Sequence, residues 1–125
     1  MEEIKIIKKI EVVQGDTSDI YKFKRTLEGG SVITTLPLKM WITFKRSCSC
    51  DECLFQKTLA DGSITYSEED NYYRFQLQPE DTCNLPFDIY GFDIAIINED
   101  GEKKTLLNDG ELEIVKHYTK KCNEV

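Results

Sequence analysis

The residues of this chain that could do chemistry are five cysteines, one histidine and several acidic runs. Three of the cysteines form a Cys-x-Cys-x₂-Cys pattern, whose spacing resembles a thiolate metal cluster, although a structural zinc site uses four ligands. A fourth ligand would come from a distant cysteine, and the full set is Cys48, Cys50, Cys53, Cys83 and Cys122. Metal ligation, disulfide pairing and free thiols stay open for these residues, with free thiols the expectation for a protein made in a reducing compartment.

The position of the 47–53 loop relative to the other cysteines depends on how often the chain crosses the domain. Two predicted strands separate Cys83 from Cys122, so these residues are expected at the same end of a sandwich. The 47–53 loop is expected at this same end if residues 54–78 cross the domain twice. If residues 68–71 form a full reversal, the count is three and the loop is expected at the opposite end.

The other candidate residues predict no enzyme. His117 lies in a charged C-terminal stretch, and nothing in the sequence pairs it with a nucleophile and an orienting carboxylate. Neither a Gly-rich phosphate loop followed by a helix nor a nucleophile elbow is present. The acidic runs 68–70 and 80–81 lack the spaced loop of a calcium site and are interpreted as solvated turns. We therefore predict no catalytic, cofactor-binding or metal-binding residues and no cofactor.

Three aromatic residues could bind a ligand, because they do not belong to the clear core rows. Trp41 and Tyr72 alternate with predicted core residues, and Tyr66 is placed with them. Rings on the outer face of a sandwich can serve as stacking platforms for sugars. They can equally be covered by the chain itself or by a neighbouring subunit, and all three interpretations stay open.

Composition limits the class of protein. The chain has 125 residues with 16 basic and 23 acidic side chains, a net charge of −7, so we expect one domain that binds neither nucleic acid nor anionic lipid. No apolar run approaches the roughly 20 residues that span a bilayer, and residues 1–5 do not begin a secretory signal.

Charge is distributed unevenly along the chain. Residues 1–50 hold 9 basic and 6 acidic side chains, whereas residues 51–125 hold 7 basic and 17 acidic side chains. Such halves could favour head-to-tail stacking of copies, although interleaved strands would average the charge over the surface.

Alternation of apolar and polar residues with a period of two dominates the chain. In residues 38–45 the apolar row begins at Leu38, and the opposite row includes Trp41. A strand sorts such residues onto two faces, whereas a helix would scatter them. The same pattern elsewhere predicts a core formed by Tyr21, Phe23, Met40, Ile42, Phe44, Phe75, Leu77, Tyr90, Phe92, Ile94, Leu112 and Ile114.

Turn residues separate these strands and predict the fold. Gly-containing turns occur at residues 14–17, 28–30, 61–62, 99–101 and 108–110. One helical turn is predicted at residues 79–82, where Pro79 suits the first helical position. About seven to eight short strands joined in this way predict an all-β, immunoglobulin-like β-sandwich. It would form a single domain, residues 1–125, with a tail expected to be frayed after about residue 116.

Several segments match one family in order along the chain. The first is Ile10-x-Val12-x-Gln14-Gly15-Asp16-Thr17, and the most discriminating is Leu77-x-Pro79-Glu80-Asp81-Thr82, which precedes the strand bearing Tyr90. The last is residues 109–114. Together these segments resemble, over about residues 10–115, the immunoglobulin-like N-terminal domain of baseplate upper proteins and related structural proteins of tailed phages and prophages of Gram-positive bacteria.

This resemblance implies a non-catalytic structural or assembly module of a phage or prophage tail or baseplate. Such a protein would be made in the bacterial host cytoplasm without a signal peptide and would reside in the virion. Its partners would be other virion proteins or copies of itself. The corner after Leu77 resembles the tyrosine corner of immunoglobulin folds, with the Tyr90 hydroxyl tying the turn. The Cys48 to Cys53 segment departs from the family pattern.

Two alternative functions accompany this expectation. One is a carbohydrate-binding or host-surface-binding module that uses Trp41 and the exposed tyrosines. The other is a metal-stabilised adaptor domain built on the cysteine cluster.

Overall fold

The computed structural model describes residues 2–5, 8–46 and 53–115, and these ranges form nine strands and one helical turn. The elements, in chain order, are β1 (Glu2–Lys5), β2 (Lys9–Val13), β3 (Tyr21–Leu27), β4 (Lys39–Lys45), β5 (Cys53–Thr58), β6 (Ile64–Tyr66), β7 (Tyr73–Phe75), α1 (Pro79–Thr82), β8 (Asp88–Ile97) and β9 (Lys103–Val115). No helix within these ranges has the length and apolar character needed to cross a membrane.

The strands form two sheets, one of four strands in the order β1-β3-β7-β6 and one of five in the order β2-β9-β8-β4-β5. In immunoglobulin folds one sheet holds strands A, B, E and D, and the other holds C, F and G with extra strands beside C. The order of β1, β3, β7 and β6 corresponds to the first sheet, and that of β9, β8 and β4, with β5 beside β4, to the second. The chain is therefore an immunoglobulin-like β-sandwich, as the sequence predicts.

The first two strands belong to different sheets. β1 pairs antiparallel with β3, whereas β2 pairs with β9 in the only parallel ladder of the described strands. Ile10 and Leu112 are direct partners in this ladder, although about 100 residues separate them in sequence.

The described residues form nine strands, which is more than the seven to eight expected. Residues 2–5 form a separate strand, and the segment that includes residues 64–78 forms a hairpin rather than one interrupted strand.

The core lies between the sheets and follows the predicted alternation. Every predicted core residue is buried except Tyr21, which is half-buried and packs against Phe75 with ring centres 5.5 Å apart. Leu38 is 64% exposed because β4 begins one residue later, so the core row starts at Met40. One contiguous apolar cluster joins both sheets. The expected frayed tail after about residue 116 lies outside the described residues.

Candidate functional site

The corner between the sheets forms at the helical turn predicted from the sequence. Pro79 occupies the first turn of α1, and the carboxylate of Asp81 accepts a hydrogen bond of 2.7 Å from the backbone N–H of Gln78. The connection after β2 attaches to this corner, because the N–H of Gly15 donates to the hydroxyl of Thr82 over 2.9 Å. The α1 corner is therefore fastened to a segment almost seventy residues earlier in the chain.

Tyr90 holds the other side of the corner. Its hydroxyl donates a hydrogen bond of 2.8 Å to the carbonyl oxygen of Pro86, four residues upstream. Burial, together with the nearby carboxylate of Asp88, raises the pKa of Tyr90, so the hydroxyl stays protonated and remains a donor at neutral pH. The predicted tyrosine corner is confirmed.

A buried ion pair joins the corner to β5. The ammonium group of Lys57 lies 2.5 Å from the carboxylate of Asp81, and the two side chains are only 8% and 15% exposed. Lys57 stands opposite Ile42 in the β4–β5 ladder and so occupies a position on the core-facing row. A charged group in this position needs a partner, because an unpaired charge away from water is very costly. The pair therefore has a structural role in holding α1 against the sheet edge.

An open cleft of about 300 Å³ lies beside this ion pair. Ile20 and Phe75 form apolar parts of its wall, and its polar groups come from Lys57, Ser63, Thr65, Arg74, Gln76 and Gln78. The two cations are already engaged, Lys57 with Asp81 and Arg74 with Asp70. The cleft consequently presents amide and hydroxyl groups more than free charge.

A group of cations surrounds Tyr72 on the outer surface of the four-stranded sheet. The ammonium nitrogens of Lys22 and Lys24 each lie 4.5 Å from the centre of the Tyr72 ring, and the guanidinium carbon of Arg74 lies 5.6 Å from it. These are cation–π distances. Lys22 and Arg74 are also direct cross-strand partners, and like charges in that position destabilise a sheet. We call Lys22, Lys24, Tyr72 and Arg74 the basic face.

Asp70 neutralises part of the basic face. Its carboxylate accepts hydrogen bonds of 2.5 and 3.3 Å from Arg74 and one of 3.0 Å from the backbone N–H of Tyr72. These bonds, that from the Arg74 side chain foremost, lower the pKa of Asp70 to about 2. One aspartate against Lys22, Lys24 and Arg74 leaves two positive charges on this face.

The outer surface of the five-stranded sheet has the opposite charge along β2 and β9. Glu11 and Glu113 are direct partners in the parallel ladder, so two like charges again face each other. Glu111 is exposed two residues before Glu113 on the same row. Lys9 lies 3.5 Å from the Glu113 carboxylate, and three glutamates with one lysine leave two negative charges. We call Glu11, Glu111 and Glu113 the acidic face.

The three candidate aromatic residues do not form one platform. Trp41 is half-buried on the outer row of β4, which belongs to the five-stranded sheet, whereas Tyr72 lies on the outer surface of the other sheet. Tyr66 packs against Tyr73 with ring centres 4.7 Å apart, and its hydroxyl donates to the side-chain oxygen of Asn71. Trp41 and Tyr72 therefore lie on the outer surfaces of different sheets, whereas Tyr66 packs against the core and does not belong with them.

Exposed apolar side chains concentrate in the connection between β3 and β4. Leu27, Val32, Leu36 and Leu38 are 38% to 64% exposed, and we call residues 27–38 the apolar loop. The buried guanidinium group of Arg25 donates a hydrogen bond of 2.9 Å to the carbonyl oxygen of Thr35 and holds this loop against the domain. The loop is therefore attached to the core while its leucines face outwards.

Two of the five cysteines lie in the described ranges, and both are exposed. Cys53 begins β5 opposite Lys45, which pairs with Gly91 near the start of β8. Cys83 lies in the connection from α1 to β8. Cys53 and Cys83 are thus at the same end of the sandwich, whereas Cys48, Cys50 and Cys122 fall outside the described residues.

The number of times residues 54–78 cross the domain decides at which end of the sandwich Cys53 lies, and the structure differs here from the expectation. Residues 67–72 do form a full reversal, because β6 and β7 are antiparallel. A reversal there does not place Cys53 at the end opposite Cys83, contrary to the expectation, and residues 47–52 of the loop lie outside the described residues. β5 begins beside the start of β8 and runs away from it, and β6 likewise runs away from α1, so both strands run in the same direction. Because they belong to different sheets, β5 and β6 together count as one crossing of the domain and not as two.

The acidic runs form no metal centre within the described part of the chain. Among residues 2–5, 8–46 and 53–115, no group of three or more His, Cys, Asp or Glu side chains could hold an ion. The run at residues 68–70 lies in the β6–β7 turn, and Glu80 with Asp81 lies in α1. His117 lies beyond the described residues.

Sequence reasoning missed the basic face, the acidic face and the buried Lys57. The alternation of Lys22 and Lys24 with Phe23 shows that the lysines share a face. It does not show that Arg74 stands beside them, since strand pairing depends on residues fifty positions away. The sequence offered one signal for each face, the row of Lys22 and Lys24 on β3 and the row of Glu111 and Glu113 on β9.

Comparison with known proteins assigns the chain to no family. No protein-family model matches it, and no curated protein matches it. The solved structure of murine CRIg is similar, with a TM-score of 0.41 and 12% sequence identity over 94% of this chain and 98% of that chain. The sheet order itself assigns the chain to the immunoglobulin-like β-sandwiches.

Proposed function

We propose that this chain is a non-catalytic structural module that assembles into the tail or baseplate of a tailed phage or prophage. The observation that carries the proposal is the segment from Leu77 to Tyr90, which resembles baseplate upper proteins in sequence and folds as one continuous corner. In that corner α1 is fastened to the β2 end and Tyr90 is bonded to Pro86. The module would act through contacts with neighbouring virion proteins.

The apolar loop supports a role in contact formation. Scattered apolar side chains are normal on a soluble domain, but a concentration of them on one connection is typical of an interaction surface. Leu36 and Leu38 are 45% and 64% exposed in a chain with a net charge of −7. Covering these side chains with a neighbouring subunit would stabilise the association by about 25 cal/mol for each Å² of apolar surface removed from water.

Purified particles test the proposal directly. Tail particles from a culture that carries the gene should contain this chain in a fixed ratio to tail proteins, as measured by mass spectrometry across a density gradient. The adjacent genes should encode tail and baseplate proteins. A chain that stays with the soluble cell protein in all fractions would refute assignment to the virion.

The role of the apolar loop is tested in the same particles. Leu38→Asp should lower incorporation of the chain, because it places a charge in the contact. Thr105→Asp, also at an exposed position, is the matched control and should leave incorporation unchanged. Equal incorporation of both variants would refute the loop as the contact while leaving the virion assignment intact.

A further inference from the structure

The basic face and the acidic face lie on opposite outer surfaces of the same sandwich. The basic face belongs to the four-stranded sheet and the acidic face to the five-stranded sheet. Their described side chains carry two net positive and two net negative charges. We infer that the basic face of one copy stacks on the acidic face of a second copy, a contact that deepens and rests on the proposed assembly role.

Each face carries an arrangement that is unfavourable in an isolated copy. Lys22 stands directly opposite Arg74, and Glu11 stands directly opposite Glu113. Directly opposed like charges destabilise a sheet. Within the described ranges neither Lys22 nor Lys24 is paired with a carboxylate. Asp70 and Lys9 offset part of this repulsion within one copy, and a surface of opposite sign would offset the remainder on both faces.

The charges on the two faces have the same repeat along the strand. Lys22 and Lys24 are two residues apart on β3, and Glu111 and Glu113 are two residues apart on β9. In both strands this separation is about 6.8 Å, because each residue advances the chain by about 3.4 Å. Two ammonium groups can therefore meet two carboxylates without distortion of either strand.

Apolar surface accompanies the charges on both faces. Tyr72 lies among the cations, and Ile89, the cross-strand partner of Glu113, is 51% exposed. Charge pairs exposed to water contribute little by themselves, so a stable contact needs such apolar area as well. Charge complementarity would set the orientation and the rate of association.

A second copy fits this surface better than other anions. The net charge of −7 opposes the approach of nucleic acid, anionic lipid and a second copy alike. Only the copy offers a face of opposite charge and matched spacing that offsets this repulsion at the contact. The two contacting patches differ, so the contact is heterologous. Such contacts produce closed rings or open stacks, according to the rotation between copies.

Charge exchange tests the contact. One double variant, Lys22→Glu with Lys24→Glu, has two acidic faces, and the other, Glu11→Lys with Glu111→Lys, has two basic faces. Sedimentation should show self-association of the natural chain that weakens between about 0.01 M and about 1 M salt, as the Debye length falls from about 30 to about 3 Å. Each variant alone should associate at least about tenfold more weakly. An equimolar mixture of the two variants should recover association.

Matched variants control for net charge. Lys103→Glu with Lys104→Glu changes the net charge as the first variant does, and Glu99→Lys with Glu102→Lys changes it as the second does, all at exposed positions outside both faces. Both controls should associate like the natural chain. Circular dichroism would confirm that all variants are folded.

Three results would overturn the inference. These are a natural chain that stays monomeric at low salt up to about 1 mM, charge-reversed variants that associate as well as their controls, and a mixture of variants that stays monomeric. The virion assignment has a separate readout, because the chain can be present in tail particles without self-association. Failure of stacking and failure of the proposed function are thus distinguishable.

Discussion

Phe92 and Gly110 are cross-strand partners, and the Phe92 ring fills the space in which a side chain at position 110 would begin. A Cβ atom on Gly110 would lie 2.5 Å from Cζ of Phe92, far inside van der Waals contact. Phe92 is fully buried and packs against Phe44 with ring centres 5.3 Å apart. The ring beneath the strand, rather than any backbone conformation, therefore requires glycine at position 110.

Gly110→Ala should lower the free energy of unfolding by about 1–3 kcal/mol, because it overpacks the core against Phe92. The measurement is urea-induced unfolding followed by circular dichroism. Combining Gly110→Ala with Phe92→Leu should make the alanine substitution less costly than in the natural background, since leucine leaves room for the methyl group. Additive effects of the two substitutions would contradict the direct contact.

Tyr90→Phe should destabilise the chain by about 1–2 kcal/mol, because it removes the hydrogen bond to Pro86 and leaves that carbonyl oxygen without this donor. Tyr72→Phe removes a hydroxyl from an outer surface and should change stability by no more than about 0.5 kcal/mol. Urea unfolding of both variants provides the comparison. Equal effects would show that the corner does not depend on the Tyr90 hydroxyl.

Lys57→Met should cost about 3 kcal/mol, because it leaves the Asp81 carboxylate partly buried without its cation. Lys57→Met with Asp81→Asn should recover part of this loss, since no uncompensated charge then remains. Thermal unfolding at neutral pH measures both. If the double variant is less stable than Lys57→Met alone, the hydrogen bond from Gln78 to Asp81 matters more than the ion pair.

The carboxyl group of Asp70 should titrate near pH 2, as its hydrogen bonds to Arg74 imply. Its folded pKa lies below the ordinary value of 3.8. The stabilisation from the carboxylate is therefore fully present above about pH 4 and is lost as the pH falls through about 2. Carbon-detected NMR titration gives the midpoint. Arg74→Gln should move it up towards the ordinary value, and an unchanged midpoint would assign the shift to the backbone N–H of Tyr72 and the side chain of Ser67 instead.

Cys53 and Cys83 should react with a maleimide reagent in the folded, reduced protein, because both are exposed. Peptide mapping by mass spectrometry should find both labelled before unfolding, with and without a chelator. The predicted absence of a metal ligand set would be wrong if both thiols were protected, about one equivalent of zinc were bound, and a chelator restored labelling.

Local sequence predicted the buried face of the strands with clear alternation but not how the strands pair. The rows through Met40, Phe44 and Phe92 follow from period-two alternation, which needs only neighbouring residues. The α1 turn was equally predictable, since Pro79 and the acids after it favour a first helical turn. These signals extend over a few residues each.

The remaining features depend on partners that are far apart in sequence. Lys57 is polar by type and is buried only because α1 brings Asp81 to it. The shared direction of β5 and β6 follows from their antiparallel pairing with β4 and β7, which belong to different sheets. Lys22 and Arg74 likewise become neighbours through pairing of β3 with β7. Alternation carries no information about such pairings, so the sequence shows the charged row on each strand but not its cross-strand neighbours.

The parallel ladder between β2 and β9 has a consequence for how the protein is made. Its direct partners Ile10 and Leu112 are about 100 residues apart, and a ribosome adds about 5–20 residues per second. For roughly 5–20 s the nascent chain therefore holds the apolar row of β2 without the strand that covers it. Closing so long a loop also slows folding after release. During this interval Ile10 and Val12 are exposed to other chains, and a chaperone that binds short apolar strands would find its target there.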